Sequence, residues 1–233
     1  MIFRQLFDRE SSTYSYLLAD KNSAKALLID PVKEHLEYYL QLLDELGLML
    51  QYAIDTHVHA DHVTALGALR DRTGCQTIVG THSTMHCADR HIDDGEFINC
   101  GNLALTAIYT PGHTNDSYCF YLDEHDGYLF TGDTLLIRGT GRTDFQHGSS
   151  KDLYHSLFSK LLPLGDEVTV YPGHDYKGWT KTTIGEERKH NPRLQVRDWQ
   201  GLAAILDNLK LADPKLMDIA IPANQSCGQP LGH

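Results

Sequence analysis

Residues 56–62 read "THVHADH" and place three imidazoles and a carboxylate within six positions: His57, His59, Asp61 and His62. A solvated polar loop seldom needs that density of histidine. Imidazole and carboxylate together suit borderline and hard divalent metals such as zinc, iron and manganese. The stretch follows "QYAID" (51–55), a short apolar run that reads as a strand. Three other places repeat the layout: "AIYT" before "PGHT" (107–114), "YLFT" before "GD" (128–133) and "TVYP" before "GHD" (169–175). A lone "GHT" or "TGD" is more often a turn. Four such sites in order, each after an apolar run, point to strand-end loops that converge on a metal. The candidate donors are therefore His57, His59, Asp61, His62, His113, Asp133 and His174. His82, His86, His91, His125, His155 and His190 lack this context and read as surface or core histidines.

Working outward, "DPVKEHLEYYLQLLDELG" (30–47) reads as a helix with Asp30 as N-cap, Pro31 at its first position and Gly47 at its end. "HVTALGALRDRTG" (62–74) reads as a second helix closed by Gly74. Strands are expected at "IFRQLF", "YSYLLAD", "AKALLID" and "CQTIVG", then at "EFINC", "LALTAIYT", "SYCFYLD" and "GYLFTG". A helix is expected over "SKDLYHSLFSKLL" (150–162), and a mostly helical segment from about 179 onward. The pattern alone supports a mixed-sheet α/β or α+β architecture.

The 233 residues suit one domain with a short C-terminal extension from about 179. A net charge of -11 argues against nucleic acid and against attraction to anionic membranes. No run of 18 apolar residues and no secretory signal is seen, so a cytoplasmic location is expected. Five cysteines, an odd number without a CxxC, point to inert thiols rather than disulfides in a reducing compartment. Cys227 is expected near an exposed end, with no role.

The order HxHxDH, His after "PG", Asp in "TGD" and His in "GHD" resembles the metallo-β-lactamase superfamily. The resemblance implies an αββα sandwich, two mixed β-sheets covered by helices. It implies one metal at His57, His59 and His113, a second at Asp61, His62 and His174, and Asp133 bridging. "TGDTLLIRGTGRTDFQHGSSKDLYHSL" (131–157), "YPGHDYKGWTKTTIGEERKHNPRL" (171–194) and "IPANQSCG" narrow it, because they resemble the persulfide dioxygenase family. That family implies an iron-dependent oxidation of glutathione persulfide by O2 to sulfite and glutathione. It implies one Fe(II) per chain, held by His57, His113 and Asp133. His59, Asp61, His62, His174, Asp144 and Asp175 would then orient ligands or hydrogen-bond waters. Arg142, Tyr176 and Arg193 would meet the anionic glutathione moiety, Asp144 holding Arg142 in place. A homodimer is the one assembly considered. Two alternatives stay open: a glyoxalase II-like glutathione thioester hydrolase with a two-metal centre, and a non-catalytic metal-binding or sulfur-carrier module.

Overall fold

Two stretches of strand, each carrying its own helices, organise the chain. The computed structural model describes residues 1–209, 211–212 and 216–229. It divides into two compact units, Met1–Ile92 with Ile98–Ala104 and Asp213–His233, and Asp93–Phe97 with Leu105–Ala212.

In the first unit the strands are β1 (Ile2–Phe7), β2 (Tyr14–Ala19), β3 (Lys25–Ile29), β4 (Met49–Ile54), β5 (Gln76–Gly80) and β6 (Arg90–Ile92). They form a mixed sheet in that order. The β1–β2–β3 pairs are antiparallel, and β3 through β6 run parallel. "YSYLLA" is buried at every position, and the hydroxyl of its one serine, Ser15, donates to the Asp30 carbonyl at 2.6 Å. Helix α1 (Leu36–Glu45) buries Tyr39 and Leu43, and α2 (Leu66–Thr73) buries Leu66 and Leu69. These join Leu17, Leu28, Leu50 and Val79 in one core. Each fully buried leucine contributes about 1.5–3 kcal/mol over its exposed state.

The second sheet runs β12-β11-β10-β9-β8-β7. Its strands are β7 (Phe97–Cys100), β8 (Leu103–Tyr109), β9 (Tyr118–Leu122), β10 (Tyr128–Phe130), β11 (Thr169–Tyr171) and β12 (Thr182–Thr183). Strand β8 is antiparallel to β9, β9 to β10, and β10 is parallel to β11. Strands β8, β10 and β11 therefore point the same way and release their following loops at one end. Helices α3 (Ser150–His155), α4 (Ile184–His190) and α5 (Trp199–Asp207) accompany this sheet. Leu153, Leu157, Ile184 and Leu202 pack with Leu129 and Val170 in its core. Helix α6 (Met217–Gln225) belongs to the first unit.

Several expectations need correction. Asp30 does not cap a helix. It has φ +50°, its carboxylate accepts from Thr56, and α1 begins only at Leu36, after a 3-10 turn at Lys33–His35. The second helix starts at Leu66 rather than at residue 62, because the preceding residues stay with the loop. The helix over 150–162 changes from α3 to wider π-type turns at Ser156–Leu161 and then to a 3-10 turn at Leu162–Leu164. The short strands β6 and β12 were not expected. Cys87 and Cys227 are joined by a disulfide, and Cys227 is fully buried rather than exposed. Their separation of 140 residues explains why no local spacing announced the pair. Cys75, Cys100 and Cys119 are buried and not disulfide-bonded, as expected.

Candidate metal centre

In the first unit β3 and β4 are parallel neighbours with Ile29 opposite Ile54, so Asp30 and Asp55 leave the sheet side by side. The Asp30 carboxylate is buried and accepts the Thr56 amide at 2.7 Å and the Thr56 hydroxyl at 3.0 Å. With its proton committed to Asp30, Thr56 Oγ1 accepts from His57 Nδ1 at 2.9 Å. That hydrogen bond places the lone pair of His57 on Nε2. His59 Nε2 donates to Asp30 Oδ1 at 3.1 Å, which puts the His59 lone pair on Nδ1. This Nδ1 is buried and makes no hydrogen bond. Asp61 accepts from Thr13 Oγ1 at 3.0 Å and lies 2.9 Å from His62 Nδ1. His59, Asp61 and His62 each offer a ligand atom, all within 4.8 Å of one another.

Burial alone would depress the His59 imidazole. The carboxylates of Asp30, Asp55 and Asp61 outweigh it and push His59 up to about 9. A pocket so rich in carboxylate attracts positive charge, and a divalent cation meets the same demand as a proton. A buried imidazole nitrogen without a hydrogen bond, beside carboxylates and two further imidazoles, fits a metal of the zinc or iron type.

In the second unit three loops supply donors. Phe130 faces Tyr171 across the parallel β10–β11 pair, so the turns after them run together. Asp133 Oδ1 accordingly meets His174 Nδ1 at 2.6 Å, and Asp133 Oδ2 lies 3.6 Å from His113 Nε2. His113 Nδ1 donates to the Arg142 carbonyl at 2.8 Å, which places the lone pair of the ring on Nε2. Two glycines permit this crowding. A Cβ on Gly141 would lie 2.4 Å from the Asp133 carbonyl and 2.6 Å from the His113 ring, and one on Gly173 would lie 2.9 Å from Asp133 Oδ1.

The residues expected to meet glutathione lie in the same unit, in differing states. The Arg142 guanidinium makes a two-pronged pair with Asp144 at 2.6 and 2.7 Å and donates to the Ala212 carbonyl at 2.8 Å. It also stacks over Phe145. Asp144 thus holds Arg142, and that hydrogen bond keeps the Asp144 carboxyl below its ordinary value. Arg193 donates to the carbonyl and hydroxyl of Thr140, one residue before Gly141, and burial lowers its pKa. Tyr176 is 75% exposed and stacks on His174. Asp175 accepts the amides of Lys177 and Trp179, so it braces its own turn.

Sequence reasoning missed Asp30, Thr56 and Asn224. A signal for Asp30 existed, since "ALLID" and "YAID" both end an apolar run in aspartate. Asn224 donates to the carbonyls of His59 and His62, and no local pattern marks it.

The family model of the metallo-beta-lactamase superfamily matches residues 8–174. The chain belongs to this superfamily, and its two mixed sheets with flanking helices are the metallo-β-lactamase fold. Human mitochondrial persulfide dioxygenase ETHE1 is 47% identical over 229 residues, covering 98% of this chain and 89% of the human protein. The crystal structure of ETHE1 from Myxococcus xanthus matches at TM-score 0.95 and 49% identity, covering 98% of this chain and 100% of that one. TTHA1623, solved in a di-iron-bound form, matches at TM-score 0.70 and 25% identity, covering 81% of this chain and 98% of that one. Within the superfamily, the chain is a member of the persulfide dioxygenase family.

Proposed function

We propose that this protein is an iron-dependent persulfide dioxygenase that oxidises glutathione persulfide with O2 to sulfite and glutathione. The near-full-length similarity to persulfide dioxygenase ETHE1 carries this reading. In it, as the family resemblance implies, His57, His113 and Asp133 hold one Fe(II). Two imidazoles and a carboxylate are the donor set of non-heme iron oxygenases. Iron(II), when bound, supplies dioxygen activation and a position for the persulfide sulfur. The residues of the chain do the rest. Thr56 and the Arg142 carbonyl fix His57 and His113 in the tautomers that ligate through Nε2. His174 steadies the Asp133 carboxylate. His59, Asp61 and His62 fill the buried surroundings, and Arg142, Tyr176 and Arg193 receive the glutathione moiety.

The two-metal hydrolase reading draws on the di-iron form of TTHA1623 and on the cluster of His59, Asp61 and His62. One experiment separates the readings. Protein purified without oxygen is analysed for metal, then assayed for oxygen uptake with glutathione persulfide and for glutathione thioester hydrolysis. About one iron per chain with oxygen uptake and sulfite formation is expected. Two zinc ions per chain with thioester hydrolysis would overturn the proposal in favour of the hydrolase, and neither activity would leave a metal-binding or carrier module.

A further inference from the structure

The residues from Asn224 to Gln229 return to the loop that carries His57–His62 from the far end of the chain. Asn224 is fully buried. Its Oδ1 accepts the Thr64 amide at 2.8 Å. Its Nδ2 donates to the His59 carbonyl at 2.8 Å and the His62 carbonyl at 2.9 Å. One side chain thus satisfies three main-chain groups of an irregular loop, across separations of 160 to 165 residues. A carboxamide fits because the loop offers it one donor and two acceptors. Three residues later, Cys227 is disulfide-bonded to Cys87, in the connection between β5 and β6. The Cys227 amide donates to the Asn224 carbonyl, and the Cys227 carbonyl accepts from Gly67 in the first turn of α2. The covalent bond therefore ties the segment after α6, next to Asn224, to the β5–β6 connection.

We propose that Asn224 is a positioning residue for the His57–His62 loop, and that the Cys87–Cys227 disulfide is a thiol-sensitive lock that holds it there. The consequence for metal rests on the reading above; the consequence for the loop does not. Cys87 is partly buried and Cys227 fully so, which makes Cys87 the sulfur that a thiolate reaches. Attack by a low-molecular-weight thiolate on Cys87 Sγ forms a mixed disulfide and expels Cys227 as thiolate, which takes up a proton. A second thiolate attacks the mixed disulfide at the sulfur of the bound small thiol. It leaves Cys87 as a thiol and departs as the small disulfide. Two thiols and one protein disulfide thus become one small disulfide and two protein thiols. Persulfide oxidation releases a thiol, so the proposed reaction's own product is a reductant of the required class.

The test compares four forms of metal-free protein: oxidised, reduced with a phosphine and checked by thiol titration, Cys87→Ser, and Asn224→Ala. Hydrogen exchange is followed at the Thr64 amide and across residues 57–66. Reduction, Cys87→Ser and Asn224→Ala should each speed exchange there by about 10–100-fold, with reduction adding little to Asn224→Ala. Unchanged exchange on reduction overturns the lock, and unchanged exchange in Asn224→Ala overturns the positioning role. In iron-loaded protein, Asn224→Ala should shed iron to a chelator faster and lose kcat while keeping KM for glutathione persulfide. Asn224→Gln, which keeps both donors and the acceptor, should recover more iron retention than Asn224→Asp, which cannot donate to the two carbonyls. Equal behaviour of the two variants, or a change confined to KM, overturns the positioning role. Failure of oxygen uptake in the unaltered protein, with the exchange pattern as expected, would sink the dioxygenase reading and leave the clamp standing.

Discussion

In the first unit, four donors stand within six residues of one loop, all but Asp61 fully buried. In the second, His113, Asp133 and His174 come from three loops after three strands, and the side chains of His113 and Asp133 keep 13% and 14% of their exposure. The first arrangement is held from outside the loop, by Asp30 on one side and Asn224 on the other. The second is held by strand direction and by glycines that let backbones approach. A dense motif needs remote side chains to keep its crowded polar groups satisfied. A dispersed one needs only that its strands end together. In the proposed reading only His57 of the first region holds iron, so loss of His59, Asp61 or His62 should be tolerated better than loss of His113 or Asp133.

That contrast sets the order of expected effects. Asp133→Ala removes the carboxylate between His113 and His174, and iron binding with oxygen uptake should fall below detection by metal analysis and oxygen electrode. His59→Ala should lower iron affinity or activity by about 10–100-fold without abolishing either. Equal, complete loss in both variants would erase the contrast and make His59 a direct ligand. Next comes Gly141→Ala, whose new Cβ would meet the Asp133 carbonyl and the His113 ring. A loss of about 1–3 kcal/mol in denaturant unfolding is expected, accompanied by reduced iron content. Full iron content at unchanged stability would show that the second region yields as readily as the first.

The smallest effect belongs to Asp144→Asn, which weakens the pair with Arg142 at a side chain 60% exposed. A change below about 1 kcal/mol is expected. Because the folded carboxyl is held below its ordinary value, the pair's contribution is present above about pH 4 and is lost as pH falls through the lowered value. The stability difference between the variant and the unaltered protein should hence be flat from about pH 5 to 8 and shrink in acid. A difference that grows in acid would break this assignment.

What could be read beforehand follows the range of each interaction. "THVHADH" and the three strand-end turns were legible because donor and strand are adjacent in sequence. The helix read at 30–47 was started too early, because Asp30 carries two opposing signals, an N-cap and a strand-end acid. The structure spends its carboxylate on Thr56 and His59. The hold of Asn224 and the Cys87–Cys227 bond were illegible because each joins residues at least 140 apart. Arg142 was named for its charge, yet its backbone carbonyl is what orients His113. A sequence shows side chains and hides what each main-chain carbonyl will meet.

The return of Asn224 to Thr64 also bears on how the chain is born. A ribosome adds about 5–20 residues per second. The 160 residues between these two partners therefore separate their synthesis by roughly 10–30 s. Throughout that interval the histidine loop has emerged while its fastening has not. A nascent chain in this condition presents clustered imidazoles and carboxylates to any passing cation. The order of translation thus lets a residue made later, Asn224, close a loop made well before it.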